Sequence, residues 1–108
     1  MRDLKRVTDL QLDLARQKLA RVAERDSQIL EQIAGIDAQV QAMFHLAVDD
    51  PFQQAGAGAS FEQWASRRRS ELQMDRARLR VERATAMGSL RLAFGRAEAV
   101  RLTSRDLR

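Results

Sequence analysis

The sequence predicts an all-α fold, a long antiparallel two-helix coiled-coil hairpin, from three features. Apolar residues recur every three and four positions through residues 3–48. A second apolar row recurs every seven positions from residue 65 to residue 107. Between them lies "DDPFQQAGAGASFEQW" (49–64), which holds the only proline and two of the five glycines. Composition agrees. Charged residues are 31%, aromatics 5%, and tyrosine is absent, a mixture typical of long helices rather than of a thick globular core. A chain of 108 residues is one domain at most.

Helix one is expected over about residues 3–48. Leu12, Leu19, Asp26, Ile33 and Val40 take the a positions of a heptad, and Ala15, Val22, Ile29, Ile36 and Met43 the d positions. Asp26 is the one charged member. Leu30 and Phe44 widen the stripe. Upstream, Leu4, Val7, Leu10 and Leu14 do not hold the same register, so packing is expected to loosen there.

Residues 49–59 read as the turn. The residue before Pro51 avoids the α region, and Gly56 and Gly58 allow a reversal. Ser60 followed by Gln63 fits a capping box, so helix two is expected over about 60–106. Its d row is Ala65, Leu72, Leu79, Ala86, Ala93, Val100 and Leu107. Its a row is Arg69, Arg76, Arg83, Leu90, Ala97 and Ser104, basic first and small or apolar later. So short a connection favours antiparallel neighbours, each about 70 Å long at 1.5 Å per residue.

Folding the chain near residue 54 sets Val22 by Ala86, Ile36 by Leu72, and Asp26 by Arg83. Asp26–Arg83 is the expected register pair, because a polar pair inside a seam fixes alignment. A half-turn shift would bring Glu82 or Arg80 closer instead. The halves are complementary in charge. Residues 1–50 carry seven Lys/Arg against nine Asp/Glu, and residues 60–108 carry twelve Arg against six.

Several chemistries lack their residues. With no cysteine and one histidine there is no disulfide, thiolate site or histidine pair. His45 has no convergent partner, and "GAGAS" has no following lysine to make a phosphate loop. The chain is therefore expected to be no enzyme and to hold no cofactor or metal. No apolar run reaches the length of a membrane span, and "MRDLKRVTDL" has no apolar signal core. A cytoplasmic protein is expected.

What remains is binding. Arg69, Arg76 and Arg83 belong to a basic helical surface that nucleic acid or an anionic surface could use. Interleaved Glu71, Asp75 and Glu82, with no aromatic for base stacking, favour pairing with helix one's acids instead. Phe44, Phe52, Phe61 and Trp64 gather near the turn, either as a cap or as a docking point for a partner. Ala86, Ala93 and Ala97, with Gly88 and Gly95, make a small-residue surface that permits close helix approach. Leu10, Leu14, Leu90, Leu92 and Phe94 cannot all fit the seam, so a homo-oligomer or a partner protein would cover the rest.

The stretches "LQLDLARQKLARVAERDSQILEQIAGI" and "RRRSELQMDRARLRVERATAMGSLRLAFGRAEAVRL" give Leu-rich heptads, a mid-chain break and an Arg-rich return helix. In that pattern, over nearly the whole chain, the sequence resembles the FliJ/YscO class of type III export proteins. The resemblance implies a stalk-like coiled coil inserted into a hexameric export ATPase and linking it to the export gate and substrate chaperones. The setting would be a flagellar or injectisome-type apparatus at the membrane. No functional residue carries over by motif. A self-assembling structural coiled coil is the alternative expectation, with an Arg-rich nucleic-acid or anionic-surface binder third.

Overall fold

The computed structural model is all-helical and forms a two-helix hairpin: α1 spans Arg2–Asp49 and α2 spans Pro51–Asp106. The backbone is described for residues 2–49 and 51–106, and side chains for 2–46 and 58–105.

Helix α2 begins nine residues before the expected start at Ser60. Pro51 is its first residue, where the fixed φ suits a helix and the missing N–H is no loss. Gln53, Gln54, Ala55, Ala57 and Ala59 then favour helix strongly enough to carry it past the glycines. Ser60 and Gln63 sit inside α2, so they form no capping box.

The chain divides into two compact units. The central unit, residues 26–78, joins the end of α1 to the start of α2. Its core is Ile36, Ala65 and Leu72, with Ile29, Ile33, Val40 and Phe61 packed against them. Leu72, 2% exposed, is the most buried large side chain among the described residues. The antiparallel order is visible in polar contacts: Asp26 meets Arg76, and Asp37 meets Arg69.

The terminal unit comprises residues 1–25 and 79–108. It buries Thr8, Ala15 and Val22 from α1 and Leu79, Ala86, Ala93 and Val100 from α2. Each set repeats every seven residues, so the expected d rows are the buried rows. Thr8 extends the α1 row by one heptad beyond Ala15. It is 5% exposed, and its Oγ1 donates to the carbonyls of Leu4 and Lys5 at 3.0 Å each. A threonine hydroxyl satisfied within its own helix costs little to bury.

The described a positions are half-buried or exposed. Two helices in contact cover one narrow stripe on each, so one row is sealed and its neighbour stays half-wet. Gly88 and Gly95 do not serve close approach, since a Cβ built at either meets nothing within 4 Å. Their cost is backbone entropy alone. Gly95→Ala should therefore stabilise the protein by about 0.5–1 kcal/mol, read as an upward shift in thermal midpoint.

Candidate functional site

Of the seven residues singled out above as partner contacts, the four aromatics belong to the stretch around the break and the three arginines to the a row of α2. Around the break, Phe44 is 68% exposed and Trp64 48% exposed. Phe61 is half-buried, packs on the Ile36–Leu72 core, and stacks against Trp64 with ring centroids 5.5 Å apart and planes inclined by 37°. The aromatic group is thus part anchor and part open surface. Phe52 lies outside the described side chains.

The basic row is largely spent within the hairpin. Arg69 reaches Asp37 at 3.1 Å. Arg76 Nε donates to Asp26 Oδ1 at 2.9 Å, with both side chains roughly one-third exposed. Arg68 meets Glu71 and the Gln32 side-chain oxygen, and Arg78 meets Asp75. Arg83 is exposed and makes no ion pair with a described residue. The register pair is therefore Asp26–Arg76, one heptad before the expected Asp26–Arg83. Glu82, beside Arg83, is held instead by Arg25 at 2.8 Å. Arginine's long side chain can reach along a neighbouring helix, so seam acids are claimed by whichever guanidinium arrives with good geometry.

A double-mutant cycle tests this pairing. Asp26→Ala and Arg76→Ala should couple by about 1 kcal/mol in urea unfolding, as a partly exposed charged hydrogen bond does. Asp26→Ala and Arg83→Ala should add to within about 0.5 kcal/mol. Equal coupling to both arginines would remove the assignment.

Folding also redistributes charge. The terminal unit holds 14 Lys/Arg against 7 Asp/Glu, a net +7, and the central unit 5 against 8, a net −3. Reading the two halves of the chain separately hides this division, because each unit draws on both halves.

The terminal unit inverts the usual relation of size to burial. Thr8, Ala15, Ala86 and Ala93 are inside. Leu10, Leu14, Leu92 and Phe94 are each more than half exposed. Leu90, a member of the a row, is half-buried. Upstream of Leu12 the seam continues at Thr8, the one buried residue of 2–11, and Leu4, Val7 and Leu10 are at least half exposed. In the central unit Leu30, Leu46 and Met74 are also exposed.

No group of three or more His, Cys, Asp or Glu among the described residues could hold a metal ion. No helix among them is long and apolar enough to cross a membrane. Set against family models, curated proteins and solved structures, the chain matches none of them.

Proposed function

We propose that this chain is a non-enzymatic binding protein of a flagellar or injectisome-type export apparatus. It acts as a coiled-coil stalk on the export ATPase and links that ATPase to the export gate and to chaperones. The binding role is carried by one observation: Leu14, Phe44, Leu92 and Phe94 remain more than half exposed after the hairpin has closed. Apolar side chains in excess of what the seam can bury support a role in binding. The choice of partner rests on the Leu-rich first helix and Arg-rich return helix, the pattern of the FliJ/YscO class.

The test is ATP hydrolysis by a purified type III export ATPase titrated with this protein. A saturable rise is expected. Arg83→Glu should weaken it, because Arg83 is exposed and makes no ion pair with a described residue. Arg76→Glu breaks the Asp26 pair and so reports on folding as well as contact. No change in rate, with an active hexamer confirmed in the same tube, would remove this reading.

A further inference from the structure

The terminal unit has two unlike flanks. Counting from the buried d rows, Arg25 and Glu82 are both g positions, and their 2.8 Å ion pair sets the two g rows along one flank. From α1 that flank presents Leu4, Val7 and Leu14, all about half exposed, and then Lys18 and Arg21. From α2 it presents Leu92, 63% exposed, and Arg96. Among the described side chains its only carboxylate is Glu82, already held by Arg25. The acids at the e and b positions are neutralised locally: Asp9 by Lys5, Asp13 by Arg16, Glu98 by Arg101. The e/b flank is basic as well, through Arg2, Arg6, Arg80, Arg91 and Arg105, but its exposed large apolar side chain is Phe94 alone; among the described residues the aliphatic row lies on the g/c flank.

We infer that this g/c flank of the terminal unit is the docking surface for an acidic amphipathic helix of a partner protein, which packs on the two helical segments as a third helix. Leu4, Val7 and Leu14 are three and seven residues apart, the spacing at which one helix face anchors another. From Leu4 to Arg21 is about 25 Å at 1.5 Å per residue. The partner segment therefore has about five turns, with apolar residues along one face and carboxylates toward the end that meets Lys18 and Arg21. A second copy in the same place would set one net +7 unit against another, and like charges oppose such docking. An anionic bilayer favours aromatic anchors; the exposed Phe44 and Trp64 lie in the central unit of net −3, and the exposed Phe94 is an e position, off this flank. The flank itself is aliphatic. This inference does not depend on the ATPase reading, and its test contains no ATPase.

The probe is a fluorescein-labelled synthetic peptide of about 21 residues, Leu at heptad a and d positions and Glu at most others. It is titrated with the full chain by fluorescence anisotropy. It should bind about tenfold or more tightly than a scrambled peptide of the same composition or a peptide with Lys in place of Glu. The double substitution Val7→Gln with Leu14→Gln, and separately Arg21→Glu, should each weaken binding about tenfold. All three positions are exposed, so far-UV circular dichroism should show unchanged helix content. Val81→Gln, at an f position of α2 and 68% exposed, should leave binding intact. Equal binding of the three peptides, or equal loss on Val81→Gln, overturns the inference. So does co-sedimentation with phosphatidylserine vesicles, or concentration-dependent self-association, that the same g/c substitutions abolish.

Discussion

Leu72→Ala is expected to destabilise the protein by about 2–3 kcal/mol, enough to lower the thermal midpoint by about 10 °C or more. Leu72 is 2% exposed and lies in the Ile36–Ala65–Leu72 cluster. Truncation removes its buried methyl and methylene groups and leaves a void that two helices with regular backbones can only partly close. The figure sits at the lower end of the range for buried leucines because a two-helix core is one layer thick and has room to relax. Met74→Ala is the control. Met74 is 60% exposed two residues away, and its loss should change stability by no more than about 0.5 kcal/mol. Urea unfolding of the two variants decides the matter. Similar losses would mean that the d row does not carry the core.

The d rows were legible in the sequence because a heptad seam repeats. Each of Ala65, Leu72, Leu79, Ala86, Ala93 and Val100 is an apolar residue seven from the next, and each is buried. Thr8 was overlooked because it is polar, although its place seven residues before Ala15 was a signal. The break was harder to place. Gly56, Gly58 and a Ser60–Gln63 pair look like a turn followed by a cap, and each rule is sound alone. They lose to a proline that tolerates a helix's first position and to an Ala/Gln-rich segment that sustains it. The ion pairs were only half legible. Asp26 could be seen to need an arginine, but Arg76 and Arg83 occupy the same helical row, and spacing alone does not choose between them.

The candidate surface was less legible still. Leu10, Leu14, Leu92 and Phe94 were visibly in excess of the seam, and they are exposed. What the sequence did not reveal is the division of charge. Sequence halves follow the chain, whereas the units pair its two ends with each other and its middle with itself. Positive charge therefore coincides with exposed Leu10, Leu14, Leu92 and Phe94 in the terminal unit, and net negative charge with exposed Phe44 and Trp64 in the central unit. Each surface suits a partner of opposite charge, since a potential that attracts one repels the other.

Ala86→Leu should be the most harmful enlargement in the terminal unit, costing about 1–3 kcal/mol. Ala86 is 1% exposed, in a buried row with Ala93, and Ala15 is buried on α1. Small residues at successive core positions let two helices approach closely, and a leucine there must either push them apart or leave its rotamer. The same three added carbons at Ala99, an exposed c position, should change stability by less than about 0.5 kcal/mol. The contrast bears on function as well as folding. Ala15, Ala86 and Ala93 bury little apolar area each, at about 25 cal/mol per Å². At these positions the terminal unit closes on small side chains while Leu10, Leu14 and Leu92 stay outside. If Ala86→Leu instead raises the unfolding midpoint, the helices of this unit have space between them. The alanine row would then be an underfilled core rather than a close contact, and the exposed leucines could be drawn inward without any partner.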